Sequence, residues 1–164
     1  MRRFGNAGAA AAVTAGVLRI ADSFTAGVLE PNILQALYVV TDGLLLAGAV
    51  ALWAERRATL GWAGHAGLAI FVIGILTIRL ARNYQIGAAV AVLGLALYSV
   101  EALIARDGQP AAPIAWLLSL GFGVAGAFGV TPQAMLAAAG VAFGSGFVFA
   151  GAGMFAKKKE GRAG

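Results

Sequence analysis

Long apolar stretches separated by short polar breaks are the dominant pattern along this chain. A helix that crosses a lipid bilayer needs about 20 mostly apolar residues, and six stretches approach or reach that length. The breaks contain proline, asparagine or charged residues, which commonly end helices. The pattern therefore predicts six membrane-crossing helices, at residues 6–28, 33–54, 60–81, 86–105, 113–129 and 133–155.

Basic runs recur at a near-constant interval, and each one closes a pair of these stretches. Arg56 and Arg106 are 50 positions apart, and Arg106 and Lys157 are 51 positions apart. A period of this size indicates repeated supersecondary units. We therefore predict an all-α integral membrane fold with a single transmembrane domain over residues 1–164. It is built from three repeated helical hairpins at residues 6–57, 60–106 and 113–159.

Composition and charge agree with a lipid environment. The chain has 164 residues, is 60% hydrophobic and has a mean hydropathy of +0.85. A soluble domain of this size could not bury that much apolar surface. The net charge of +5 comes from basic residues at predicted helix ends, which favours contact with lipid head groups over nucleic-acid binding.

The distribution of basic residues predicts the orientation. Nine lie on the side of the two termini and two lie on the other side, so the positive-inside rule places both termini on the cytoplasmic side of the membrane. The start Met1-Arg2-Arg3 and the Ala-rich run after it imitate a signal peptide. We expect this segment to be retained, because the first hairpin needs it as its rising arm.

Charged residues inside apolar spans are costly and are functional candidates by default. Residues at equal distance from a hairpin turn lie at equal depth, which matches Arg19 with Asp42, at about 17 Å from the turn, and His65 with Glu101. We therefore predict two intramembrane charge pairs, Arg19–Asp42 and His65–Glu101. They serve either as internal neutralisation or as a proton or ion path. Asp22, three positions after Arg19, is expected to share its charge.

Conventional catalytic and metal chemistry is not predicted. The chain has no cysteine and one histidine, so neither a thiolate site nor an ordinary transition-metal site is expected, and no cofactor is predicted. Residues 121–126 match G-x-G-x-x-G, but a dinucleotide site needs a preceding strand and this match lies inside an apolar span. We therefore predict a protein without enzymatic activity.

Glycines at regular spacing predict close helix packing. Gly43, Gly126, Gly140 and Gly144 are the candidates. The concentration of glycine in the third hairpin predicts that this hairpin packs most tightly.

Two stretches resemble the repeat of the HdeD-type acid-resistance membrane proteins. The first runs from Gly16 to Arg57, with a Gly-Val-Leu-Glu-Pro turn at 27–31, Tyr38 and Asp42-Gly43. The second runs from Trp116 through Gly126 and Pro132 to Lys157. The resemblance implies six inner-membrane helices and a link to stress or acid resistance, and it implies no catalytic residues.

Three functions are open at this point. The first is an HdeD-like stress role or an accessory role in a membrane complex, with the lipid bilayer and other membrane subunits or a second copy as partners. The second is a small transporter or channel for protons, ions or a small solute. The third is a lipid or small-ligand binder with a cavity between hairpins.

Overall fold

The computed structural model describes residues 2–25, 30–106 and 109–163. The described chain is helical, with α1 (Arg2–Thr25), α2 (Pro31–Arg56), α3 (Trp62–Leu80), α4 (Tyr84–Ile104), α5 (Ala111–Ala127) and α6 (Pro132–Ala163). Three features used above lie outside the described part: Met1 with the side chains of Arg2 and Arg3, residues 27–29, and the side chains of residues 157–159.

The prediction of an all-helical fold with six helices is confirmed for the described residues. Five helices are long and apolar enough to cross a membrane, at Asn6–Phe24, Pro31–Arg56, Trp62–Leu80, Tyr84–Ile104 and Pro132–Ala156. Helix α5 is also apolar, but it is shorter, with 17 residues. That length is at the lower limit for a spanning helix.

Local sequence explains where several helices begin and end. Pro31 occupies the first turn of α2, where a missing N–H costs nothing. The Asn83 side chain accepts a hydrogen bond from the Ile86 backbone N–H at 3.1 Å and so caps α4. Gly129, with φ +84°, follows α5, and the N–H groups of Gly129 and Val130 bond back to Gly126 and Ala125. This Schellman ending needs a left-handed residue, which glycine supplies.

The helices form a ring in which one pair of neighbouring helices makes much less contact than the others. Helix α1 packs against α2 and α6, α3 packs against α4, and α5 packs against both α4 and α6, whereas α2 and α3 touch only lightly. We call this last contact the α2–α3 seam. We call the end of the ring with Arg56, Arg57 and Arg106 the basic end, and the end with the α3–α4 turn the opposite end.

Aromatic side chains fill the centre of the ring. Phe147 of α6 lies 5.6 Å from Phe71 of α3 and 5.2 Å from Trp116 of α5, between ring centroids, and Trp116 lies 5.8 Å from Tyr98 of α4. All four side chains are almost completely buried. Four helices therefore meet in one packed aromatic core.

Glycine contacts differ from those predicted. The tightest helix pair is α3–α4, in the second hairpin rather than the third. A Cβ at Gly67 of α3 would lie 2.6 Å from the Gly94 carbonyl oxygen and 2.6 Å from the Tyr98 nitrogen of α4. Such backbone contact is possible only without a side chain, and the sequence analysis did not single out these glycines.

The four predicted packing glycines fall into different environments. Gly126 lies against Met135 within the third hairpin, but Gly140 and Gly144 pack on α1 instead, where a Cβ at Gly144 would lie 2.5 Å from the Gly16 carbonyl oxygen. Gly43 instead faces open space, with no heavy atom within 4 Å of its Cβ position. The glycines of α6 thus join the third hairpin to the first.

Candidate functional site

Six polar side chains from four helices lie together toward the opposite end. We call this group the Arg19 cluster; its members are Arg19, Asp22, Tyr38, Asp42, Arg79 and Tyr84. It contains two arginines and two aspartates, so its formal charges cancel. Charges in an apolar environment are normally paired in this way, because an isolated one is costly.

Arg19 links two helices that are not neighbours in the chain. Its Nη1 donates to Asp22 Oδ2 at 2.7 Å, and its Nη2 donates to the Tyr84 hydroxyl at 2.7 Å. Tyr84 is the first residue of α4, so a side chain of α1 is fixed to the start of α4. The expected sharing of charge between Arg19 and Asp22 is confirmed.

Asp42 and Arg79 form the second ion pair of the cluster. Arg79 Nε donates to Asp42 Oδ2 at 2.5 Å, and the two side chains are 29% and 16% exposed, respectively. Arg79 lies in the last turn of α3 and Asp42 lies in α2, so the pair bridges the α2–α3 seam, the least extensive contact between neighbouring helices of the ring. A basic residue near a helix end commonly extends to the membrane interface, but the Arg79 side chain meets Asp42.

The predicted direct pair between Arg19 and Asp42 is replaced by these two contacts. Equal distance from a turn fixes the depth of a residue but not the direction in which its side chain points around the helix. Depth itself is also shifted here, because α2 has 26 residues and α3 has 19. The ion pair with Arg79 shows that Asp42 lies level with the last turn of α3.

Glu101 occupies a different place from the one predicted. Its Oε2 accepts a hydrogen bond from the Gly64 backbone N–H, in the first turn of α3, and Gly61 is the N-cap residue of that helix. A carboxylate at a helix N-terminus satisfies a free N–H group and interacts favourably with the helix dipole. Glu101 of α4 therefore caps α3, and the missing side chains at Gly61 and Gly64 make room for it.

His65 lies beside this cap without bonding to Glu101. Its Nδ1 is 2.8 Å from the Gly61 carbonyl oxygen, which requires Nδ1 to be the donor. Its ring meets Trp53 of α2 edge-on, with centroids 6.5 Å apart. The predicted His65–Glu101 pair therefore shares a level, as depth matching indicated, but each residue bonds to the α3 backbone instead of to the other.

Sequence reasoning missed Tyr84, Gly61 and Gly64 as parts of these two sites. Tyr84 falls between the predicted spans 60–81 and 86–105 and therefore carries no helix signal of its own. Gly61 and Gly64 carry a readable signal, because two glycines three positions apart at a helix start leave one face open to a side chain from elsewhere. Among the described residues, no three His, Asp or Glu side chains come together to hold a metal ion.

The fold and these sites define an all-helical protein with five helices of membrane-crossing length and polar groups near both ends of the ring. No family model, curated protein or solved structure matches the chain.

Proposed function

We propose that this chain is a non-enzymatic, six-helix protein of the bacterial inner membrane, with an HdeD-like stress role or an accessory role in a membrane complex. Five apolar helices of sufficient length support the membrane placement. The excess of basic residues on one side supports cytoplasmic termini. The resemblance of two hairpins to the HdeD-type repeat supports the stress role.

The observation that carries this proposal is the packed centre of the ring. A transporter places its substrate site near the bilayer midplane between its repeats, and a channel needs a polar path. Here the central space is taken by Phe71, Tyr98, Trp116 and Phe147. The charges of the Arg19 cluster are neutralised in two ion pairs, Arg19–Asp22 and Arg79–Asp42. Such pairing lowers the cost of inserting charged side chains into a membrane. A bundle of this kind is suited to a structural role within a larger assembly.

Two measurements on the same purified sample test the proposal. Blue native electrophoresis after mild detergent extraction is expected to show a discrete complex larger than one chain, with a second subunit or further copies in fixed ratio. Proteoliposomes with an internal pH dye are expected to show the same proton leak with and without the protein. A monomer that conducts protons would contradict the accessory role.

A transporter remains the second candidate, and the Asp42–Arg79 pair favours it. That pair bridges the least extensive contact between neighbouring helices of the ring, so its opening could separate α2 from α3. Under this alternative, the wild type carries a flux of protons, ions or a small solute across the proteoliposome membrane. Asp42→Asn loses that flux while its helical content is unchanged. Flux that Asp42→Asn leaves intact would contradict a path through this pair.

A further inference from the structure

An apolar groove of about 210 Å³ runs along the α2–α3 seam near the basic end. Its walls are Ala49, Val50 and Trp53 on α2 and His65, Leu68 and Val72 on α3. Val50 and Trp53 are 59% and 40% exposed, so the groove opens on the outside of the ring. It exists because α2 and α3 are the neighbouring helices that pack least closely.

A cationic side chain, that of Arg57, lies at the rim of the groove at the basic end. Arg57 follows Trp53 by four positions, which places both on one face of the helix, and the guanidinium lies 5.9 Å from the centroid of the Trp53 ring. Among the described residues, Arg57 forms no ion pair. A cation over an aromatic face is held in position while its outer side stays available to an anion.

The neighbouring polar groups leave this cation unopposed. His65 donates through Nδ1 to the Gly61 carbonyl oxygen, so its neutral ring keeps an acceptor at Nε2 and brings no negative charge to the rim. Glu55 is two positions from both Trp53 and Arg57, and residues at that spacing do not share a helix face. The Glu101 carboxylate is bound to the Gly64 N–H on the α4 side of α3. The rim is therefore positive, and the floor of the groove is hydrocarbon.

We propose that this groove binds one acyl chain of an anionic phospholipid, with the lipid phosphate at Arg57. The inference rests on the membrane placement proposed above. In a bilayer, an apolar groove that opens outward is filled by lipid chains, and basic sites between helices near the cytoplasmic face bind anionic head groups. A choline lipid is disfavoured, because its own ammonium group would approach Arg57.

Native mass spectrometry from nanodiscs of equal phosphatidylglycerol and phosphatidylcholine, with identical acyl chains, tests the site. The wild type is expected to retain one phosphatidylglycerol in preference to phosphatidylcholine. Arg57→Gln should lower the ratio of the two retained lipids about fivefold, the equivalent of about 1 kcal/mol for one basic residue near a membrane surface. Arg106→Gln is the matched control, since it removes an exposed arginine from the same end of the ring but away from the groove, and it should leave the ratio unchanged.

A second variant tests the groove itself. Ala69 lines the groove and is exposed, so Ala69→Phe should fill it and reduce retention of both lipids while the helical content stays the same. Equal retention of the two lipids by the wild type, or an equal effect of Arg57→Gln and Arg106→Gln, would overturn the anionic site. Undiminished retention in Ala69→Phe would overturn the groove as its place. If the wild-type chain failed to enter nanodiscs, the membrane placement would fall and the lipid site with it.

Discussion

Replacement of Gly67 by alanine should separate α3 from α4. The added Cβ would lie 2.6 Å from two backbone atoms of α4, those of Gly94 and Tyr98, whereas ordinary contact begins near 3.4 Å. The helices must therefore move apart locally by several tenths of an ångström, since backbone atoms have no rotamer to change. Overpacking of this kind costs about 1–3 kcal/mol, against a gain of up to about 1 kcal/mol from the higher helix propensity of alanine.

Gly123→Ala is the matched control for this substitution. Gly123 lies in α5 with no heavy atom within 4 Å of its Cβ position, so only the gain in helix propensity applies. The gain in helix propensity is common to both variants, so mixed-micelle unfolding in dodecyl sulfate, followed by circular dichroism, should show Gly67→Ala less stable than Gly123→Ala by about 1–3 kcal/mol. The same unfolding free energy for both variants would refute the inferred backbone contact between α3 and α4.

Three further predictions concern the ion pair, the cap and the α1–α6 contact. Asp42→Asn and Arg79→Gln should each lower the unfolding free energy by about 1.5–3 kcal/mol, the usual contribution of hydrogen bonds to charged groups, and the double variant should lose less than the sum; additive losses would show no coupling. Glu101→Gln keeps a neutral acceptor but loses the charge at the start of α3, so it should lower the unfolding free energy by about 1 kcal/mol. Hydrogen exchange in the first turn of α3 should become faster, and unchanged exchange would argue against the cap. Gly144→Leu should lower the melting temperature in detergent more than Leu93→Ala, because Leu93 is 55% exposed and Gly144 meets the backbone of α1; equal melting temperatures would count against that contact.

The helices could be predicted from sequence because their signals are local. Apolar runs of sufficient length, a proline in the first turn of α2 and an asparagine cap before α4 act within a few residues of the feature they fix. The predicted span 86–105 accordingly agrees with Tyr84–Ile104 within two residues. The sharing of charge between Arg19 and Asp22 is local in the same sense, since one helical turn brings them together.

The partners of the distant charges could not be predicted in the same way. Counting from a turn gives a depth, and it did place His65 level with Glu101. It gives no direction around the helix axis, and that direction decided that Asp42 meets Arg79 rather than Arg19. Direction depends on which helices become neighbours in the ring, and the ring order rests on contacts between residues far apart in sequence.

Glycine shows the same limit. Gly43 and Gly144 each lie 12 positions after the proline that begins their helix, Pro31 and Pro132, yet Gly43 faces open space and Gly144 contacts the α1 backbone. The spacing of glycines identifies helices that can pack closely. Only the ring order decides which of those faces meets a neighbour.

Single-cysteine labelling in intact cells tests the central claim of six membrane crossings most directly, since the chain has no native cysteine. Ala58→Cys places a thiol between α2 and α3 and Gln109→Cys places one just before α5, both at the basic end, and Ala81→Cys and Val130→Cys place one at the opposite end; all four positions are exposed. An impermeant maleimide should label Ala81→Cys and Val130→Cys directly, and Ala58→Cys and Gln109→Cys only after permeabilisation. Labelling of Gln109→Cys and Val130→Cys from the same side would show that the 17-residue α5 does not cross, and outside labelling of Ala58→Cys would contradict cytoplasmic termini.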